Sequence, residues 1–257
     1  MTQPLVISND HGQVRVLTMN RPDARNALSR DLIRALYAAL DEADGDESVR
    51  AVVLTGADPA FCAGVDLKEA QRLGLSYFEE FRAHSCIDKT SEMVTPIIGA
   101  INGATFTGGL EMALGCDFLV ASERAVFADT HARVGILPGG GMTARLPHVV
   151  GSAMARRLSM TGEVVDAARA ERIGLVTEVV PHEQLVGRAV ELATQIAEVP
   201  GPIMKGLKEI YRRGADTVVT PALAAEQEIA GAQTRDFAGL GERYRAVSEH
   251  NKNQIGR

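Results

Sequence analysis

The sequence predicts an α/β fold, and three observations carry that prediction. Short apolar, β-branched runs alternate with segments of helical period through the first two thirds of the chain. Glycines punctuate the changes of period, and the last third reads as helix. The chain's 257 residues can bury a sizeable core within one large α/β domain. A hydrophobic content of 46% with 23% charged residues belongs to a folded chain rather than a disordered one.

The elements follow in order. Leu5-Val6-Ile7 and the run from Val14 to Met19 predict a strand pair, with Asn9-Asp10-His11-Gly12 as its turn, because Gly12 can take a positive φ. Over residues 29–43, Leu32, Ile33, Leu36, Ala39 and Leu40 share one helical face, Ser29 is placed to cap, and Gly45 lies just past the end. Val52-Val53-Leu54, within a strand over 49–55, is apolar throughout, as expected of a strand covered on both faces. A helix over 77–93, a strand over 95–101, a short helix over 108–115 and a buried strand over 118–120 continue the alternation. Helices are predicted over 183–198, 202–211, 221–237 and 240–249, with Pro202 and Pro221 in first turns. No linker or fixed-period repeat divides the chain.

Charge and composition exclude several classes. Lys plus Arg number 27 against 33 Asp plus Glu, so the net charge of −6 disfavours nucleic-acid and anionic-membrane partners. The three cysteines are widely spaced, with no CxxC pair, and suggest neither a disulfide framework nor a metal site. The N-terminal residues lack a basic leader and a long apolar stretch. No run approaches the ~20 apolar residues of a bilayer span, so a cytoplasmic protein without membrane insertion is expected.

Two glycine-rich segments could hold chemistry: residues 61–67, which follow the apolar strand, and residues 102–111. Both can be plain strand-to-helix turns, yet glycine also lets a ligand approach the backbone and leaves N–H groups open. Glu111 sits in a short helical stretch whose other side chains are apolar. A buried unpaired carboxylate is costly, so it protonates, pairs or works; the alternative is a carboxylate at the helix edge or one paired with arginine. His131 lies between an apolar run and the glycine-rich loop over 135–141. It can exchange a proton near neutrality or serve as a hydrogen-bonded structural residue, and Asp129 could orient it. There is no HExxH, no EF-hand spacing, no GxxxxGK[ST] loop, no GxGxxG after the strand and no GxSxG turn. Cys62 and Cys116 sit among small apolar residues, where inert buried thiols are expected.

Taken together, residues 52–56, 61–69, 96–103, 108–113 with Cys116-Asp117, 125–127, 135–141, Arg145-Leu146, 161–163, Ala167-Ala168 and 174–176 resemble the enoyl-CoA hydratase/isomerase (crotonase) superfamily across nearly the whole chain. The resemblance implies a crotonase (ClpP/crotonase-like) fold: a spiral of β-β-α units over residues 1–199 with an acyl-CoA site, then a helical trimerisation region over 200–257. It also implies a homotrimer or dimer of trimers acting on acyl-CoA thioesters of fatty-acid β-oxidation. No metal or redox cofactor is implied, CoA being part of the substrate.

Carried onto this chain, the family's oxyanion hole would be the backbone N–H groups of Val65 and Gly108. Ala63, Gly64, Asp66, Leu67, Gly109, Pro138 and Gly139 would border the substrate, and Lys68 or nearby arginines could meet CoA phosphates. Glu111 matches the first of the two glutamates that family hydratases use, whereas the second falls at His131, a departure placed by Phe127 and Gly135 on either side. Glu111 and His131 are therefore expected to catalyse hydration of a trans-2-enoyl-CoA. Isomerisation or thioester hydrolysis is the alternative, as is acyl-CoA binding with little or no catalysis.

Overall fold

The computed structural model describes residues 3–233 and 239–255. The chain opens with an antiparallel hairpin, β1 (Val6–His11) and β2 (Val14–Met19). The reversal falls at Gly12 and Gln13, not within residues 9–12 as expected. Arg15 on β2 pairs with both Asp10 oxygens at 2.8 and 3.0 Å, which keeps Asp10 in the strand, and Gly12 at φ +64° makes the turn. Helix α1 (Arg30–Gly45) buries the predicted face, and its Ser29 Oγ accepts the Leu32 N–H at 3.3 Å; the helix takes in Gly45 instead of stopping before it.

From here the chain climbs in repeated units. β3 (Ala51–Gly56) and β4 (Ala60–Cys62) lead to α2 (Leu67–Leu73), α3 (Leu75–Ala83) and α4 (Cys86–Glu92). The single helix expected over 77–93 is interrupted because Ser85 turns its hydroxyl to the Asp88 N–H at 3.1 Å, capping α4 rather than continuing α3. β5 (Ile97–Ile101) and β6 (Ala104–Phe106) lead to α5 (Gly108–Gly115). β7 (Phe118–Ser122) and β8 (Val126–Ala128) lead to α6 (His131–Val134), α7 (Met142–Val150) and α8 (Ser152–Thr161). β9 (Val165–Asp166), α9 (Ala167–Arg172), β10 (Glu178–Val180) and α10 (Leu185–Glu198) close the spiral.

The pairs β3/β4, β5/β6 and β7/β8 each place the first strand in the larger sheet and the second in the smaller, and the last pair, β9 and β10, reverses that order. The larger sheet runs β1-β2-β3-β5-β7-β10 and the smaller β4-β6-β8-β9. Pairing is parallel from β2 to β10 across the larger sheet and from β4 to β8 in the smaller. One face of the larger sheet packs Val16, Val53, Ile98 and Val120 against Leu185, Ala189 and Ala193 of α10. The other face packs Leu17, Leu54 and Ile101 in the main core with Leu32 and Leu36 of α1 and Leu110 of α5. Burial on both faces explains the unbroken apolar runs of β3 and β5.

The last two helices are α11 (Gly201–Ala232) and α12 (Leu240–Ile255). The expected pair of helices over 202–211 and 221–237 is one helix across residues 201–232, and Phe237 lies outside the described residues. Pro221 inside it removes one backbone bond to Thr217, whose residue is exposed, so water can replace the missing donor. α11 packs on α7, and α12 packs on α2 and α6.

Candidate active site

Two strand-to-helix turns meet beside one carboxylate. After β4, the Gly64 carbonyl accepts the Leu28 N–H at 2.8 Å and the Leu28 carbonyl accepts the Asp66 N–H at 3.3 Å, so Val65 is held on both sides. Gly64 has φ +88°, and a Cβ there would lie 2.0 Å from Thr107 Oγ1 and 3.3 Å from the Gly108 nitrogen. Only glycine brings these two turns so close. Asp66 caps α2 by accepting the Glu69 N–H at 3.1 Å and pairs with Arg21 at 2.7 Å, which fixes the exit of the first turn.

In the second turn Thr107 is strained to φ 48°, and α5 begins at Gly108 with no side-chain cap. Its first N–H groups have no helical acceptor and point out of the helix end. Among the described residues no acceptor pairs with the N–H of Val65 or of Gly108. Gly109 is pressed on β4: a Cβ there would lie 2.2 Å from the Cys62 carbonyl oxygen.

One turn into α5, Glu111 is 3% exposed. Its Oε1 accepts the N–H groups of Gly140 at 2.8 Å and Met142 at 3.3 Å. Its Oε2 lies 3.8 Å from His131 Nε2, longer than a hydrogen bond but within strong charge contact. Burial raises the pKa of Glu111 above the ordinary carboxylate value, against the pull of His131.

His131 starts α6, and Asp129 orients it: Asp129 Oδ1 lies 2.8 Å from His131 Nδ1 and accepts the His131 N–H at 3.2 Å. Burial alone would lower the imidazole pKa, but the charges of Glu111 and Asp129, with the Asp129 hydrogen bond, outweigh it and raise the value to about 9. The imidazolium in turn holds Asp129 below the usual carboxylate range despite its burial. The site therefore sets an imidazole whose pKa is raised against a carboxyl group whose pKa is also raised, two titratable groups in charge contact.

These groups open onto a cavity of about 1300 Å³. Of the residues expected at the site, Ala63, Val65, Asp66, Leu67, Glu111, His131 and Gly139 line it; Gly64, Gly108, Gly109 and Pro138 belong to the adjoining turns. Phe78 and Phe81 of α3 and Ile136 give it apolar wall, while Arg21, Arg25, Lys68, Arg82 and Lys252 supply cationic wall suited to phosphate groups. Residues of α11 and α12, including Ala230, Val247 and Asn251, complete the enclosure. Met112 is fully buried and serves the core. Cys62, Cys86 and Cys116 are buried, and burial pushes the Cys62 thiol up to about 12, so it stays protonated and inert.

Sequence reasoning missed Glu226. This buried carboxylate of α11 accepts the Gly141 N–H at 2.6 Å and the Thr143 N–H at 2.7 Å, and pairs with the Thr143 hydroxyl. Its place on the helical face of Leu223 and Ala230 gave no decisive signal, because Gln227 and Glu228 beside it read as an ordinary solvated stretch.

A spiral of β-β-α units with a glycine-built pair of open amides beside a buried carboxylate defines the crotonase class, and solved structures agree. An enoyl-CoA hydratase from Mycobacterium smegmatis superposes with a TM-score of 0.80 at 45% identity, covering 89% of this chain and 97% of that one. An enoyl-CoA hydratase/isomerase from Pseudoalteromonas atlantica gives 0.83 at 32% identity over 96% and 98%. In sequence, a Rhizobium meliloti protein named "Probable enoyl-CoA hydratase" is 37% identical over 231 residues, 89% of each chain. The sequence model described as "Enoyl-CoA hydratase/isomerase" matches residues 9–238. The chain belongs to the enoyl-CoA hydratase/isomerase family.

Proposed function

We propose that this chain is an enoyl-CoA hydratase that adds water across the 2,3 double bond of a trans-2-enoyl-CoA. The observation that carries the reading is the Glu111–His131 pair at 3.8 Å, its carboxylate pinned by two amides and its imidazole by Asp129. A carboxylate facing an imidazolium holds the same single transferable proton as a carboxylate facing a carboxylic acid, which is why histidine can stand where family hydratases carry a second glutamate.

In this reading the thioester carbonyl accepts hydrogen bonds from the N–H groups of Val65 and Gly108, and negative charge that develops on its oxygen is stabilised there. Glu111 takes a proton from water as the water oxygen bonds to C3; electrons move through C2 to the carbonyl, and His131 returns a proton to C2. No cofactor enters these steps, CoA being part of the substrate. Exposed Ile203, Leu207, Ile210 and Tyr211 along α11 support assigning subunit contacts to residues 200–257, which light scattering would test.

Purified protein should remove the enone absorbance of crotonyl-CoA and form 3-hydroxybutyryl-CoA. A second reading, thioester hydrolysis, would use the same open amides with Glu111, rather than the protonated His131, as general base for the attacking water. Release of free CoA thiol without loss of the double bond would favour it over hydration.

A further inference from the structure

The turn that holds Glu111 is gripped from its other side. Successive N–H groups alternate between two carboxylates: Gly140 and Met142 donate to Glu111, whereas Gly141 and Thr143 donate to Glu226. Gly141 at φ +98° permits the alternation, and Arg145 closes the turn from a third side by donating to the Gly140 carbonyl at 2.7 Å. α11 buries only Glu226 and Ala230 along its 32 residues, so this carboxylate is the principal polar anchor of the long helix at the site.

We propose that Glu226 is a positioning residue for the reaction: by holding alternate amides of the turn over residues 140–143, it aims the others at Glu111 Oε1 and leaves Oε2 facing His131. The proposal rests on the hydratase reading and deepens it. Glu226 does not line the cavity and acts through the turn. Its negative charge also bears on the pair, favouring the proton on both His131 and Glu111. Glu111 of α5 and Asp129 contact His131, and the charge of Glu226 on α11 acts on it without contact. Three arginines around these elements donate to carbonyls: Arg133 to Thr161, Arg145 to Gly140 and Arg243 to Val134.

The test is Glu226→Gln in the full chain, read by steady-state kinetics on crotonyl-CoA and by an NMR titration of the His131 imidazole without substrate. A misaimed catalytic group of about 1 Å can cost about 100-fold, so kcat should fall roughly 10- to 100-fold with KM little changed. The imidazole should titrate at lower pH than in the parent protein. Thr143→Val, which keeps both backbone donors and removes the hydroxyl, should lower kcat in the same direction by less. If Glu226→Gln fails to fold, Thr143→Val decides alone, with unchanged kcat overturning the proposal. In a folded Glu226→Gln, an unchanged kcat or a loss confined to KM overturns it. A parent protein inert toward crotonyl-CoA would overturn the hydratase reading and the proposal with it, whereas an active parent whose Glu226→Gln variant keeps its kcat overturns the proposal alone.

Discussion

Glu80 and Glu111 are both buried carboxylates on short helices, yet their acidities move in opposite directions. Glu80 of α3 is gripped by Arg34, Arg30 and His84, and these partners hold it down to about 2, permanently charged. Among the described residues Glu111 meets no arginine: two backbone amides hold one oxygen, a histidine faces the other, and burial raises its pKa. Burial alone therefore does not mark a catalytic carboxylate. Two arginines fix the Glu80 charge in place even beside titratable His84, whereas Glu111 faces a histidine and backbone amides, the setting that the proposed proton transfer needs.

The largest expected effect separates the two residues. Glu111→Gln should lower hydration of crotonyl-CoA by about 100- to 10,000-fold, the usual range for removing a general base, while keeping acyl-CoA affinity. Unchanged turnover would return Glu111 to the structural class of Glu80.

A middle-sized effect concerns pH. In the proposed mechanism His131 must be protonated, so the hydration rate should fall as pH rises through about 9, and it should fall again at low pH as Glu111 gains a proton. Asp129→Asn removes the charge that holds the imidazole proton and leaves only a neutral amide oxygen as acceptor, so it should move the alkaline limb to lower pH and slow turnover by roughly tenfold. A limb that does not move would mean that Asp129 plays no part in His131 protonation.

The smallest effect falls on Glu80. Glu80→Gln should leave kcat near its parent value and lower the melting temperature by roughly 2–4 °C, since its partners Arg30 and Arg34 retain solvent access. A large loss of kcat at unchanged stability would erase the contrast.

Local chemistry made most of the fold legible. Ser29, the α1 apolar face and the apolar runs of β3 and β5 each depend on neighbours in sequence, and each is present. What sequence reading misplaced depends on competition between local bonds. Asp10 stayed in its strand because Arg15 opposed it, and the helix over 77–93 broke because Ser85 preferred to cap. Pro221 did not break α11, because the residue whose carbonyl loses its donor, Thr217, is exposed and water can serve it. At the site, Glu111 stood out as a carboxylate among apolar neighbours and His131 through its register between Phe127 and Gly135. Glu226 could not be seen in the same way. Its partners lie 85 and 83 positions away, and nothing local tells an inward carboxylate from a solvated one.

The central claim is that a thioester carbonyl rests on the amides of Val65 and Gly108 with Glu111 facing the reacting carbons. A crystal structure with a bound, unreactive acyl-CoA tests it most directly. The account predicts the carbonyl oxygen at about 2.7–3.1 Å from both nitrogens, with C2 and C3 beside Glu111 Oε2 and His131 Nε2. A carbonyl seated elsewhere in the cavity, or a Glu111 carboxylate turned away from the acyl chain, would contradict it.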